Sequence, residues 1–260
     1  IAIAVGAVLP AQAPGSKSIH NAAVLLDGGR IVATRAKSLL PTYDVFDENR
    51  YFQPASTREP VRLDDPRLPV LGLTICEDLW ADEVPYGVDP GRELADAGAE
   101  LLLNLSASPW HAGRPLFRRE LFAAKAARHR RPIVFVNQVG GNDDLIFDGG
   151  SFVCDANGRI RAALPLFESA LEVVDLDATS SSLLPGDVVE PAAVAQLESA
   201  LVLGIRDYFH KQSLPPGAVI GLSGGIDSAV TAHLATLALG ADRVVGVAMP
   251  GPFSSPHSVS

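Results

Sequence analysis

The sequence predicts an α/β fold, with an α/β sandwich first and the start of a doubly wound parallel sheet after it. Short runs rich in Val, Ile and Leu recur along the first part of the chain, and they have the length of strands. Segments with helical periodicity lie between some of these runs. Near the end, an apolar run, a glycine-rich loop, a helical run and a second apolar run follow in βαβ order, which indicates parallel strands.

The predicted strands of the sandwich are the apolar runs at 22–26, 31–33, 70–75, 101–105, 133–136, 151–155 and 171–174. Turns rich in Gly and Asn at 27–30 and 155–159 are typical of hairpins. Because helices also separate some strands, the sheet is expected to contain both hairpins and crossover connections.

Two helices are predicted in this part, at 92–97 and 116–129. The second one has apolar residues near one face, which we expect to be its buried face: Leu116, Phe117, Leu121, Ala124 and Ala127. The basic residues between 114 and 131 are then expected to form the solvated face of the same helix.

A domain boundary is predicted at 179–191, where Ser, Thr and Pro are frequent and periodicity is lost. The predicted domains are therefore 1–178 and 192–260. The second domain is expected to begin with one long helix and to continue with a strand, a helix and a strand, at 192–212, 218–222, 229–239 and 244–249.

Composition is that of a globular protein, with 260 residues, 47% hydrophobic and 20% charged. A net charge of −9 argues against a nucleic-acid partner. The sequence has no signal peptide and no apolar run of about 18 residues, so no membrane partner is expected. Two cysteines, Cys76 and Cys154, cannot form a disulfide framework, which favours a cytoplasmic location.

The loop Ser223-Gly224-Gly225-Ile226-Asp227-Ser228 has the pattern of a phosphate-binding turn between a strand and a helix. The glycines allow backbone N–H groups to point at an anion, to which the helix adds its positive N-terminal end. Ser223 and Ser228 offer hydroxyl donors, and Asp227 offers a ligand for Mg²⁺. An ordinary Gly-rich turn is the alternative. The motif resembles the SGGxDS signature of the ATP pyrophosphatases, which implies ATP with Mg²⁺.

A second candidate site begins at Cys76, directly after the buried strand predicted at 70–75. A nucleophile is commonly presented at such a strand end. The carboxylates of Glu77 and Asp78 would raise the thiol pKa, so a reactive Cys76 requires a cation, for which Lys37 is the best candidate. A buried structural cysteine is the alternative.

The segment 37–52, Lys-Ser-Leu-Leu-Pro-Thr-Tyr-Asp-Val-Phe-Asp-Glu-Asn-Arg-Tyr-Phe, resembles the glutaminase domain of glutamine-dependent NAD⁺ synthetases, which is nitrilase-like. Three further segments, 75–80, 104–114 and 136–152, are similar to that family's nucleophile segment, glutamine-binding loop and Gly-Gly-Ser-Phe run. The resemblance implies a nitrilase-like α-β-β-α sandwich, incomplete at its N-terminus, followed by the start of a Rossmann-like ATP-pyrophosphatase domain.

For catalysis, the resemblance implies that Cys76 attacks the glutamine amide, that Lys37 stabilises the oxyanion, and that Glu48 supports Lys37 or the substrate amide. A surface carboxylate paired with Arg50 is the alternative for Glu48.

For substrate binding, the resemblance implies that Tyr43 and Phe46 line the glutamine pocket, while Ser108 and Arg114 hold the α-amino and α-carboxylate groups. A plain helix-face arginine is the alternative for Arg114.

The resemblance thus implies an ATP-dependent ligase that takes glutamine, ATP and deamido-NAD⁺ and that forms a homo-oligomer. A stand-alone nitrilase-type hydrolase and a non-catalytic remnant remain alternatives. Nothing before Lys37 matches the family's general-base glutamate, and the loop 249–255 lacks the family's arginine. We therefore expect a fragment of a longer protein, without glutaminase turnover by itself.

Overall fold

A computed structural model describes residues 1–11, 17–81, 86–176, 183–215 and 217–251. Within these ranges, the first sheet is antiparallel and has the order β1-β2-β3. Its strands are β1 (Ile3–Pro10), β2 (Ile19–Asp27) and β3 (Arg30–Ala36). The predicted turn at 27–30 closes the β2–β3 hairpin, in which Asp27 faces Arg30.

The second sheet has five strands in the order β10-β9-β6-β5-β4. Its central strands β4, β5 and β6 are parallel, and β9 and β10 are antiparallel additions at one side. A separate hairpin, β7–β8, follows β6 directly. The strands are β4 (Leu71–Ile75), β5 (Leu101–Ser106), β6 (Ile133–Asn137), β7 (Val139–Asn142), β8 (Leu145–Asp148), β9 (Phe152–Cys154) and β10 (Ile160–Ala163).

One apolar core lies between the two sheets, where Ala23 and Leu25 of β2 meet Leu71 and Leu73 of β4. All five residues of β4 are buried, as its continuous apolar run predicts for a parallel strand covered on both faces. A second core lies between the five-stranded sheet and the helices α2 (Pro90–Asp96) and α3 (Arg114–His129). The described residues thus form three of the four layers of the predicted sandwich.

The buried face of α3 differs from the predicted one. Leu116 and Phe117 are each 38% exposed, whereas the positively charged Arg118, Arg119 and Lys125 are buried. Each of these cations has a carboxylate beside it, supplied by Asp148, Glu190 and Asp89. Pairing offsets the desolvation of the charges, so a basic face that sequence alone assigns to solvent packs inside.

The chain after 183 forms α4 (Ala193–Lys211), β11 (Ala218–Leu222), α5 (Ile226–Leu239) and β12 (Val244–Ala248). Strands β11 and β12 pair in parallel, as the βαβ pattern predicts. Apolar side chains of this unit stay exposed, including Val219 at 75% and Ile226 at 74%.

The strand predicted at 171–174 is wrong. Its residues pair with no described neighbour, and Leu171 and Val173 are 93% and 90% exposed. An apolar run becomes a strand only where another strand accepts its hydrogen bonds.

The boundary predicted at 179–191 remains a prediction. Residues 177–182 lie outside the described residues, and so do residues 252–255 of the loop 249–255. We call the chain before residue 183 the first unit and the chain from α4 onward the second unit. The described segment that begins at Leu183 packs on the first unit, because Leu183 forms a β-bridge with Ile160 and Arg119 donates to the carbonyl of Pro185. Over the described ranges, no helix combines the length and apolarity needed to span a bilayer.

Candidate active site

Cys76 lies at the first residue after β4, where the chain turns into a short 3₁₀ helix, Cys76–Leu79. Its φ of 42° falls in the left-handed region, which is uncommon for a residue with a side chain. Such strain persists only where surrounding contacts impose it, and it is frequent at functional sites. At this turn Cys76 lines a cavity of 450 Å³ at the end of the sheet.

Asp78 imposes this turn. Its Oδ2 accepts from the N–H of Ile75 at 3.0 Å, and its Oδ1 accepts from the N–H groups of Ser38 and Leu39 at 2.9 Å each. The side chain is buried, and burial raises the pKa of Asp78 to about 6. One carboxylate therefore joins the strand end before Cys76 to the segment after Lys37.

Lys37 follows β3 and is 1% exposed. Its Nζ lies 2.5 Å from Oε1 of Glu48, and Oε2 of Glu48 accepts from Asn21 Nδ2 at 3.2 Å. Arg50 pairs with Asp47 instead, at 3.5 Å. The alternative of a surface Glu48–Arg50 pair is therefore wrong.

The cavity brings the three predicted catalytic residues together, since Lys37, Glu48 and Cys76 all line it. Burial raises the pKa of the Cys76 thiol, and the carboxylates of Glu77 and Glu48 raise it further. The ammonium group of Lys37 and a hydrogen bond with Ser106 act in the opposite direction. The site thus contains the cation that a reactive Cys76 requires, but the thiol is the favoured resting form.

A neighbouring cavity of 360 Å³ is lined by Tyr43, Phe46 and Arg114, three of the four predicted glutamine-binding residues. The guanidinium of Arg114 stacks on Trp80, with Cζ 4.3 Å from the ring centroid, and burial lowers its pKa. Its Nε is buried and has no hydrogen-bond partner among the described residues. The interior position of Arg114 is unlike that of a plain helix-face arginine.

Glu77 is the functional candidate that the sequence interpretation missed. Its buried carboxylate accepts two phenol hydroxyls on the same oxygen, from Tyr43 at 2.5 Å and from Tyr86 at 2.8 Å. Burial and the neighbouring carboxylate raise the pKa of Tyr43, so its hydroxyl keeps the proton that it donates. The position of Glu77 directly after Cys76 could have marked it as a functional candidate. Its contacts with the two tyrosines could not be predicted in the same way, because both tyrosines are distant in sequence.

Ser108 is buried beside this cavity and does not line it. The Oδ1 of Asn137 accepts from its backbone N–H at 2.8 Å, and Arg118 donates to its carbonyl at 3.2 Å. Arg118 also forms a fully buried ion pair with Asp148. The hydrogen bonds described for Ser108 are thus made by its backbone and not by its hydroxyl.

The predicted phosphate loop lies between β11 and α5 and is exposed. Gly224 has a φ of 79°, which favours glycine, and Gly225 precedes the first residue of the helix. Ser223 Oγ lies 3.2 Å from Ser228 Oγ, and Ser228 Oγ donates to the carbonyl of Gly225 at 3.0 Å. The two hydroxyls and the first N–H groups of α5 therefore meet at one point.

Asp227 is exposed in the first turn of α5. The described residues hold no cluster of three or more His, Cys, Asp or Glu side chains that would bind a metal by itself. A single carboxylate still suits Mg²⁺ that arrives with a nucleotide, because that ion commonly takes one or two protein carboxylates together with phosphate oxygens and water.

Comparison with protein families finds two matches along this chain. The carbon-nitrogen hydrolase model matches residues 1–183, and the NAD synthase model matches residues 197–260. Glutamine-dependent NAD(+) synthetases are similar over most or all of the chain. The one from Synechocystis sp. is 45% identical over 100% of this chain and 48% of its own length, and the one from Rhodobacter capsulatus is 40% identical over 92% and 42%.

Solved structures agree with these matches. The glutamine-dependent NAD+ synthetase from Acinetobacter baumannii, in complex with ADP, has a TM-score of 0.84 at 34% identity, covering 100% of this chain and 47% of its own. A carbon-nitrogen hydrolase from Helicobacter pylori G27 has a TM-score of 0.51 at 27% identity, covering 58% and 55%. These likenesses confirm the predicted fold class. The chain spans about half the length of the curated relatives named here.

Proposed function

Because this chain belongs to the carbon-nitrogen hydrolase family, we propose that its first unit releases ammonia from glutamine and that its second unit begins an ATP-dependent NAD⁺ synthetase. The observation that carries the proposal is the convergence of Cys76, Lys37 and Glu48 on one cavity. The phosphate loop 223–228 adds the ATP-dependent half, because a stand-alone amidohydrolase has no use for it.

The amide chemistry follows from the positions of these side chains. The thiolate of Cys76 attacks the carboxamide carbon, and the ammonium group of Lys37 and the N–H of Glu77 stabilise the oxyanion. The proton of the Cys76 thiol must pass to a general base, for which the family uses a glutamate that no residue before Lys37 matches, and from that base to the amide nitrogen. Collapse then expels neutral ammonia and leaves a thioester, which water hydrolyses to glutamate. Glu48 keeps Lys37 in place through their 2.5 Å ion pair.

Glutamine recognition is proposed for the neighbouring cavity. Glutamine carries an α-ammonium and an α-carboxylate. Arg114 lines this cavity and offers a positive charge, whereas the buried carboxylate of Glu77 lies behind the Tyr43 hydroxyl. Arg114 has an unpartnered Nε, so it can take up a carboxylate without losing a described hydrogen bond. Tyr43, which donates to Glu77 and lines the cavity, supports the ammonium-binding end. Phe46 adds an apolar wall beside Tyr43, their ring centroids being 5.9 Å apart.

ATP is proposed to bind at the loop 223–228, whose backbone N–H groups and serine hydroxyls suit a pyrophosphate. Asp227 would hold Mg²⁺, which neutralises phosphate charge when bound. Adenylylation of deamido-NAD⁺ converts its carboxylate into a group that ammonia can displace. AMP and pyrophosphate are then the products beside NAD⁺.

The same proposal includes a reducing, cytoplasmic location and a homo-oligomeric state. The need for a free thiol at Cys76 supports the first, and Cys154 is also free. Apolar side chains exposed on β11, α5 and β12 support association.

The test is carried out in the natural full-length protein, with glutamine or ammonium as the nitrogen source. Cys76→Ala is expected to abolish glutamine-supported NAD⁺ formation and to retain formation from ammonium. The matched control Cys154→Ala, at the other free cysteine, should retain both. Loss of both activities in Cys76→Ala would show that this cysteine is structural.

A second variant separates the two units. Asp227→Ala is expected to stop NAD⁺ formation from either nitrogen source while glutamine hydrolysis continues. Full NAD⁺ synthesis by Asp227→Ala would contradict the assignment of the loop.

A further inference from the structure

Helix α4 holds one residue of the β7–β8 hairpin, Gly141, at both its backbone N–H and its carbonyl. The N–H of Gly141 donates to Oδ2 of Asp207 at 2.9 Å, and Nζ of Lys211 donates to the carbonyl of Gly141 at 2.5 Å. Asp207 and Lys211 lie one helical turn apart and are themselves 3.5 Å apart as an ion pair. A central residue of β7 in the first unit is thus fixed by two charged side chains of the second.

The helix approaches the hairpin too closely for other side chains at the crossing. A Cβ on Gly141 would lie 3.1 Å from Cα of Gly204, and a Cβ on Gly204 would lie 2.7 Å from Cδ1 of Ile146. Glycine in a helix interior costs about 1 kcal/mol relative to alanine, so its presence in α4 has a packing reason here.

The β7–β8 hairpin, which Asp207 and Lys211 hold at Gly141, adjoins the two cavities of the candidate active site. Gln138, three residues before Gly141, lines the cavity of Cys76, and its carbonyl accepts from the N–H of Gly149 at 2.9 Å. On the other strand, Ile146 faces Gly141, and its carbonyl accepts from the N–H of Trp110 at 2.7 Å. Trp110 lines the cavity of Tyr43 and Arg114.

An apolar cluster supports the same contact. Ala200 and Leu203 of α4 are buried with Phe167, and the partly buried Trp110 and Ile146 pack against them. The ring of Trp110 lies 5.6 Å from that of Phe167. Helix α4 therefore contacts the hairpin through the hydrogen bonds of Asp207 and Lys211 and through a small shared apolar core.

We infer that Asp207 and Lys211 are positioning residues for the amide site: they hold Gly141 so that the hairpin keeps Gln138 and Trp110 at the two cavities. The inference rests on the proposed glutaminase function and adds that the second unit holds the hairpin that borders the substrate site of the first. Neither side chain touches the reacting atoms. Their effect falls on glutamine binding more than on the chemical step.

The experiment uses Asp207→Ala and Lys211→Met in the natural full-length protein. Displacing substrate-positioning groups by about 1 Å costs up to ~100-fold in rate. We expect glutamine KM to rise roughly 10-fold for ammonia release while kcat changes less. Asp207→Asn keeps an accepting oxygen and Lys211→Arg keeps a donor, so both should remain near the wild type.

Control and structural readouts accompany the kinetics. His210→Ala, at an exposed position on the same turn, should leave glutamine KM unchanged. Amide hydrogen exchange should accelerate across 138–149 in Asp207→Ala and in Lys211→Met but not in His210→Ala. The melting temperatures of these three variants should stay near that of the wild type.

Unchanged KM in Asp207→Ala, or a KM that rises equally in Asp207→Asn, would overturn the inference. Exchange at 138–149 that matches the wild type would overturn it as well. If the wild type itself released no ammonia from glutamine, the proposed function would fail instead, and hydrogen exchange would still decide whether Asp207 holds the hairpin.

Discussion

Asp78→Ala is expected to break the link between the strand end before Cys76 and the segment after Lys37, and so to destabilise the fold. The carboxylate of Asp78 accepts from three backbone N–H groups, those of Ile75, Ser38 and Leu39. Alanine leaves all three donors without their partner in a buried or partly buried place. Each such donor costs about 1–3 kcal/mol, whereas removing a buried carboxylate recovers part of its desolvation. We expect a net loss of about 3–5 kcal/mol from the free energy of unfolding.

The measurement is urea unfolding followed by circular dichroism, with the denaturant slope compared between variants. Asp78→Asn is the matched variant, because its carbonyl oxygen retains the bonds to Ser38 and Leu39 and only the N–H of Ile75 loses its partner. It should lose about 1–2 kcal/mol. Alkylation of Cys76 by iodoacetamide then reports whether the thiol keeps its surroundings.

Two results would refute this reasoning. A loss below about 1 kcal/mol in Asp78→Ala would show that water or a backbone shift replaces the three bonds. Equal losses in Asp78→Ala and Asp78→Asn would show that the charge matters rather than the hydrogen-bond geometry.

Three further predictions follow from the same geometry. The difference in the free energy of unfolding between the wild type and Asp78→Asn should grow as pH falls from 7 to 5. Burial raises the pKa of Asp78 to about 6, so the folded state takes up a proton at a higher pH than the unfolded state does. The gain is about 1.4 kcal/mol per pH unit below 6, and urea unfolding that shows a shrinking advantage would contradict it. Lys37→Met should raise the pKa of Cys76 further, so alkylation at pH 8 slows about tenfold for each unit of pKa, and an unchanged pH–rate profile would be the contrary result. Gly224→Ala should weaken ATP binding about fivefold in titration calorimetry, since its φ of 79° costs an L-residue about 1 kcal/mol; wild-type affinity would show that the loop adapts.

Local pattern was sufficient for most elements of the fold. The buried strand before Cys76 and the strand-loop-helix around Ser223 carry their signals within a few residues, in a continuous apolar run and two adjacent glycines. The strand predicted at 171–174 failed because its apolar pattern is also local, whereas a strand requires a partner elsewhere in the chain. The β7–β8 hairpin was missed as secondary structure because it is short and rich in Gly, Asn and Asp.

The candidate site, like the fold, was predicted from the sequence only in part. Cys76 and Lys37 were predicted as a pair, and the structure places both at one cavity with Glu48. Their roles, and those of the proposed glutamine-binding residues, remain predictions. Ser108 was predicted to face the ligand, but its hydroxyl does not line the cavity, because Asn137 and Arg118 hold its backbone inside.

The sequence by itself determined which residue types stand at strand ends and helix starts. It therefore determined the turn at Cys76 and the phosphate loop 223–228. Only the tertiary structure decided where charge is buried. Arg118 meets Asp148 across 30 residues, and Asp78 reaches Leu39 across 39. A buried charge is tolerated only where a distant segment supplies its partner, and no local pattern contains that partner. The contact of α4 with Gly141 depends on the same kind of encounter, because its two bonds join residues 66 and 70 positions apart.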